Sequence, residues 1–342
     1  MLLAMSALAT NGLLPVPSTI AAEKPLPGVK GVASPATEAG LFRFTDISLQ
    51  SASQPVAMVL GAEGVIWFAA SALGALGRID PATSDVTYFP LGTGARPHGL
   101  VEAEDRSILA VDRALNVLHR LTPATGDVTR IAMPPELPFL DLASIKLDRD
   151  GKVWFSGAAG WLGSHDLASG KTEISSHEDL QGLTLAAASP NGSIWFVAGR
   201  AGRMIRFDPN RPRFDSTVLP LDLGGVRGLA VGPLGEVWLS AAKSPRLVRF
   251  SGRGAWLVAK MPSAESRPQA LVARADGTVV VADVGRRKLV RYTPSTDRFD
   301  DIGDLGSGGN IKAMLDLGDA IAIADMGADR IRVFQDLSVK QN

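Results

Sequence analysis

The sequence contains no cysteine, which excludes disulfides, zinc–thiolate sites, iron–sulfur clusters and cysteine nucleophiles. That absence is compatible with an oxidising compartment. Charge of one sign is also missing: 35 Lys+Arg balance 35 Asp+Glu, for a formal net charge of +0. Without a strong basic field, nucleic acid and anionic membrane surfaces are disfavoured partners. No apolar run is long and unbroken enough to span a membrane as a helix. The most apolar stretch, residues 1–20, is interrupted by Asn11-Gly12 and by Pro15 and Pro17. No repeating segment carries apolar residues at a 3.6-residue period over ten or more positions, so a helical solenoid is excluded as well.

What is present looks like an ordinary soluble protein, 46% hydrophobic and 20% charged. At 342 residues it exceeds the usual single-core size, which calls for several domains or one repeat architecture. The 36 Gly and 22 Pro are scattered, as suits many short strands joined by turns. Residues 1–22 differ from the rest: Thr19-Ile20-Ala21-Ala22 before Glu23 resembles a small-residue cleavage site, although the positive leading segment is missing. This predicts a signal peptide, truncated at its start, and a periplasmic or secreted protein; the other reading is a disordered apolar tail. Residues 23–40, rich in Pro, Gly and Ala, read as a linker to a domain over 41–342.

That domain is repetitive. Val65-Ile66-Trp67-Phe68, Lys152-Val153-Trp154-Phe155, Ser193-Ile194-Trp195-Phe196 and Glu236-Val237-Trp238-Leu239 each follow a Gly-containing turn. Weaker copies lie at Ser107-Ile108-Leu109-Ala110, Thr278-Val279-Val280-Val281 and Ala320-Ile321-Ala322-Ile323. The tryptophan-equivalent positions 67, 109, 154, 195, 238, 280 and 322 are separated by 42, 45, 41, 43, 42 and 42 residues. Around each lie an apolar run, the Trp-type strand, an alternating segment such as Met204-Ile205-Arg206-Phe207-Asp208, and a fourth such as Val86-Thr87-Tyr88-Phe89. Four short strands per unit predict an all-β, seven-bladed β-propeller of four-stranded antiparallel blades.

The seventh unit ends at its third strand, Arg330-Ile331-Arg332-Val333-Phe334, while Leu41 to Ile47 has the fourth-strand pattern. The N-terminal strand is therefore expected to complete the last blade and leave no open seam. Trp67, Trp154, Trp195 and Trp238 are expected to fill wedges between adjacent blades.

Functional residues should recur at equivalent positions near the channel mouth. A first register, eleven residues before the tryptophan position, reads Val56, His98, Ala143, Thr184, Arg227, Gln269 and Ile311. A second, three residues after it, reads Ala70, Asp112, Gly157, Ala198, Ala241, Asp283 and Asp325.

Units such as Gln54-Pro55-Val56-Ala57 through Gly64-Val65-Ile66-Trp67-Phe68-Ala69, Gly77-Arg78-Ile79-Asp80-Pro81, and Arg96-Pro97-His98-Gly99-Leu100 resemble the virginiamycin B lyase (streptogramin lyase) propellers over about residues 41–335. The resemblance implies a seven-bladed fold and ring opening of a cyclic ester by elimination with Mg²⁺. It implies a histidine in the first register of one blade, Glu-Pro-His in the next, and a second-register glutamate. A histidine base and a carboxylate-held Mg²⁺ suit that chemistry, which removes an acidic proton and stabilises an enolate and a leaving carboxylate.

This chain departs from that pattern. Gln269 stands in the sixth unit's first register and Gly309-Asn310-Ile311 replaces Glu-Pro-His, while Asp325 keeps an acid. Pro-His with an acid fourteen residues on occurs at His98 and Asp112, which makes these the candidate catalytic pair. His119, His165 and His177 read as surface or strand-packing residues. Arg227, Gln269, Asp283 and Asp325 are candidate ligand-binding residues, and Asp283 and Asp325 candidate metal ligands. The alternative for Asp112, Asp283 and Asp325 is turn capping through backbone N–H groups. Three functions follow: a monomeric lyase-like enzyme with an altered site, a non-catalytic propeller binding a small molecule or peptide at its mouth, and a gluconolactonase-like metal-dependent hydrolase.

Overall fold

A computed structural model describes residues 19–20 and 42–336 except 136, 200, 212, 221–222, 224, 242–243 and 252–254. The expected linker lies outside these residues, as does the expected signal peptide apart from Thr19–Ile20, which pairs with the outer strand Asp127–Ala132.

Seven antiparallel blades of four strands form a ring, as the spacing predicts, with Thr19–Ile20 added as a fifth strand on the outer edge of one of them. Their innermost strands are Pro55–Leu60, Pro97–Glu102, Leu142–Leu147, Leu183–Ala188, Val226–Val231, Pro268–Ala273 and Ile311–Asp316, here blades one to seven. Each packs on the next, and the seventh packs back on the first. Within a blade the second strand lies between the first and third and is covered on both faces by neighbouring blades. Ile66–Ala70, Ile108–Asp112, Ile194–Ala198, Val237–Ala241 and Val279–Asp283 are accordingly buried at every position. A strand buried on both faces reads as a continuous apolar run, which is why these segments stand out in the sequence. Outer strands such as Arg213–Val218 are largely accessible.

The tryptophans do fill the wedges. Trp154, Trp195 and Trp238 each meet an aromatic ring of the next blade's third strand edge-on: Phe207 at 4.7 Å, Phe250 at 5.9 Å and Tyr292 at 5.8 Å between centroids. Trp67 packs with Leu100, Ile108 and Ala110 of blade two. Where a second-strand ring lies flat against its own third strand, glycine makes room. A Cβ on Gly77 would collide with the Phe68 ring, and one on Gly163 with that of Phe155.

The last blade is closed as expected. Phe42–Ser48 pairs with Arg330–Asp336 in unbroken antiparallel register, Phe42 opposite Asp336 and Ser48 opposite Arg330. The Arg332 guanidinium takes both oxygens of Asp46, through Nε to Oδ1 and through Nη2 to Oδ2 at 2.6 Å, and lies 4.3 Å above the Phe44 ring. A bidentate arginine over an aromatic face holds the N-terminal strand by geometry as well as by charge. Blades six and seven are tied further by buried Arg274, whose Nη1 is 3.0 Å from Asp336 Oδ2.

Candidate functional site

Every blade carries a register shift at the start of its innermost strand. In blade two, Pro97 pairs with Asp112 and Gly99 with Val111, so His98 is the extra residue. Blades one, three, four and five place Val56, Ala143, Thr184 and Arg227 in the same bulge. A bulge re-aims the residue it inserts, and these side chains line the central channel. In blade six the bulge spans Gln269 and Ala270, and Ala270 is the residue on the channel wall.

Blade seven corrects the sequence register. Ile311 pairs with Asp325 and Ala313 with Ala324, so the bulged residue is Lys312, not Ile311. The turn between the first two strands there is one residue shorter than in blades one and two. A fixed eleven-residue offset therefore lands one position early.

The channel encloses about 220 Å³. Among the described residues its wall carries Lys146, Arg227 and Lys312 together with His98, and no aspartate or glutamate. Among the described residues, none of the three cationic side chains forms a hydrogen bond or ion pair. Burial lowers the Lys312 ammonium's pKa, and the neighbouring Arg227 charge lowers it further. Lys146 sits three residues further along its strand than the bulge, about 10 Å deeper, and burial lowers its pKa too. His98 Nδ1 lies 2.8 Å from the carbonyl oxygen of Ala143 in the next blade. A carbonyl only accepts, so Nδ1 carries the proton and Nε2 of the neutral ring keeps its lone pair. Burial first, then the Arg113 and Lys312 charges, push His98 below its ordinary value, against the opposing effects of Ala143 O and Asp141. An uncharged ring with one free lone pair is the result.

Gln269 occupies the same level of the ring, but its Oε1 accepts the backbone N–H of Ile311 at 2.8 Å. It joins blade six to blade seven much as His98 joins blade two to blade three.

The second-register aspartates lie one strand outward, at the ends of Ile108–Asp112, Val279–Asp283 and Ala320–Asp325. Asp112 Oδ1 accepts the N–H groups of Ala114 and Leu115, and its Oδ2 accepts that of Arg96. Asp283 Oδ1 accepts from Arg267 at 2.7 Å and from Arg286 at 3.4 Å. Asp325 Oδ1 accepts from Gly327, and its Oδ2 is 3.1 Å from Arg330 Nη2.

These bonds hold a tight turn whose last residue is left-handed. In blades one and four, two of the three blades with alanine in this register, that position is Gly74 or Gly202, each at φ 61°. Where the register residue is aspartate, the position holds Asn116 (φ 56°), Arg287 (φ 55°) or Asp329 (φ 44°). The carboxylate cap offsets the cost of a side chain in a conformation that favours glycine.

The proposed His98–Asp112 pair shares no hydrogen bond. Asp112 Oδ2 lies instead 2.9 Å from His119 Nε2, and both side chains are fully buried. Desolvation opposes ionisation of Asp112, yet the hydrogen bonds from His119 and the turn outweigh it and lower its pKa. Lys146 and Lys312 are the residues that sequence reasoning missed, whereas His119 is buried in its strand as a packing residue. A turn-length comparison finds Lys312; Lys146 belongs to neither register.

Magnesium does not fit this donor set. A hard cation needs several oxygen ligands converging on one point, whereas the channel wall offers cations and the aspartates face their own turns. Asp283 Oδ2 is buried without a partner, but a single oxygen is no coordination shell. Among the described residues, no three or more His, Asp or Glu side chains gather to hold a metal.

No family model and no curated protein sequence matches the chain. Solved structures do. Virginiamycin B lyase from Staphylococcus aureus superposes with a TM-score of 0.76 at 18% identity, covering 86% of this chain and 99% of that one. A streptogramin B lyase gives 0.76 at 16% identity, covering 87% and 99%. The extracellular domain of a one-component system from B. thetaiotaomicron gives 0.65 at 17% identity, covering 85% of this chain and 39% of that one. The architecture is thus that of the virginiamycin B lyase-type propellers.

Proposed function

We propose that this chain is a ligand-binding propeller on the lyase-type scaffold, acting outside the cytoplasm, rather than a magnesium-dependent carbon–oxygen lyase. The observation that carries this reading is the exchange of charge at the mouth. Unpaired Arg227, Lys312 and Lys146 line the channel, and Asp112, Asp283 and Asp325 are committed to turns. Fold likeness does not choose between catalysis and binding, because propellers host unrelated functions. At the positions where the lyase resemblance implies a histidine and an acid stand Gln269 and Asp325, each bonded to its own backbone surroundings. Export is supported by the apolar lead over residues 1–22.

His98 supports a second reading, a metal-independent eliminating enzyme. Its Nε2 lone pair would take the acidic proton, a C=C bond would form as the C–O bond broke, and the departing carboxylate would face Lys312 and Arg227. One experiment separates the two. Purified protein is incubated with a streptogramin B antibiotic, with and without Mg²⁺, while its metal content is measured. The binding reading expects no linear product even at stoichiometric protein. Magnesium-dependent opening abolished by Asp325→Ala would overturn it, and metal-independent opening abolished by His98→Gln would establish the second.

A further inference from the structure

The chain is electrically neutral overall, yet among the described residues three cations without an acid partner share one cavity of about 220 Å³ whose wall has no acid. Like charges drawn together in a partly desolvated space oppose folding, and side chains this long normally reach either an acid or open water. Elsewhere in the molecule they do. Arg113 pairs with Asp141, Arg286 with Asp301, Arg332 with Asp46 and Arg274 with Asp336. The channel trio reaches no acid: Arg227 and Lys312 are exposed at the mouth and Lys146 is half-buried below them, an arrangement built into the backbone. Arg227 and Lys312 are aimed inward by two of the seven bulges, from blades five and seven, while Lys146 rises from blade three.

Apolar side chains complete the wall, among them Met58, Leu100 and Met314. Narrow clefts lined by one sign of charge concentrate counter-ions strongly. We propose that the channel is a receptor site for a small organic anion, a carboxylate or a phosphate ester. Its charged group is held between Arg227 and Lys312 at the mouth, and its body is directed down toward Lys146. A guanidinium matches the two oxygens of such a group bidentately, and the lysines act as point charges on either side. The proposal deepens the binding-propeller reading and rests on it.

The test is calorimetry and thermal melting of the purified chain with citrate, with inorganic phosphate and with magnesium chloride. Saturable binding of citrate or phosphate, accompanied by a rise in melting temperature, is expected, and sodium chloride should weaken it. Arg227→Met and Lys312→Met should each weaken it by about tenfold. Neither should lower the melting temperature without anion, because each relieves repulsion in the empty channel; a merely structural role predicts the opposite. Absence of saturable binding by both anions would overturn the proposal, as would binding unchanged in both variants. In that event, failure to open a streptogramin ring still leaves the binding-propeller reading in place. Ring opening would sink that reading whatever the anions do.

Discussion

Asp112 and His119 form a fully buried pair, Oδ2 to Nε2 at 2.9 Å, and the same carboxylate caps the turn that follows its strand. The aspartate that pattern alone would pair with His98 is thus part of the scaffold of blade two. Asp112→Ala strands His119 and three backbone N–H groups, and should cost about 3 kcal/mol of stability. His98→Gln should cost less than about 1 kcal/mol, because the amide can still donate to Ala143 O. Urea unfolding of the two variants checks the ordering, and equal losses would place both residues in the same role.

The compensation between turn aspartate and left-handed residue can be measured directly. Asp283→Ala should destabilise, and adding Arg287→Gly should recover about 1 kcal/mol by removing a side chain from a left-handed position. In the parent background Arg287→Gly should gain less, since the cap already holds the turn. A double-mutant cycle without coupling would show that the two features are independent.

Trp238 is 1% exposed and sits edge-on to Tyr292 across the wedge between blades five and six. Trp238→Ala should cost about 3–5 kcal/mol, the usual range for emptying a large core site. Trp154 is only partly buried, so Trp154→Ala should cost less. Denaturant midpoints of the two variants test the contrast.

Closure of the ring makes a further demand. Asp46→Ala leaves Arg332, itself nearly buried, without its bidentate partner, and should cost about 3 kcal/mol. A chain lacking residues 1–48 should expose the edge of Arg330–Asp336 and self-associate. Size-exclusion chromatography reads this out, and a well-behaved monomer from the truncated chain would contradict it.

Acid should destabilise the fold before carboxylates begin to protonate. Burial holds both His98 and His165 below their ordinary value of 6.5. As pH falls through 6.5 the unfolded chain takes up protons that the folded chain refuses, so stability falls with pH in that window. Above 6.5 neither form is charged and the effect vanishes. Urea midpoints on either side of 6.5 should show this slope, and combining His98→Gln with His165→Gln should flatten it.

Most of the architecture was legible because it is periodic. Strands buried on both faces appear as apolar runs at Val65-Ile66-Trp67-Phe68 and its copies, and a missing fourth strand at one end matched a spare strand at the other. The site was legible only in part. His98 and Arg227 lie on the channel wall as their register implies, but the same periodic ruler misses Lys312, because one short turn in blade seven shifts the bulge by a residue. Lys146 belongs to no register. The aspartates were ambiguous for a chemical reason: a carboxylate suits a turn cap and a cation ligand equally well, and nothing in the local sequence separates the two. His119 reads as a packing residue in the sequence, and its partner is supplied by strand pairing, which sets Asp112 diagonally across from it.

The pairing of Phe42–Ser48 with Arg330–Asp336 also governs the order of assembly. Asp46 and Arg330 are 284 residues apart in sequence, so uniting them in an open chain would cost about 5 kcal/mol of loop entropy beyond the constant term. The first strand of the domain to be synthesised is therefore the last to find its place. It must remain unpaired until six blades have bent the chain into an arc and brought its final strand alongside. During translation, that waiting strand is the segment a chaperone would hold and a protease would find first.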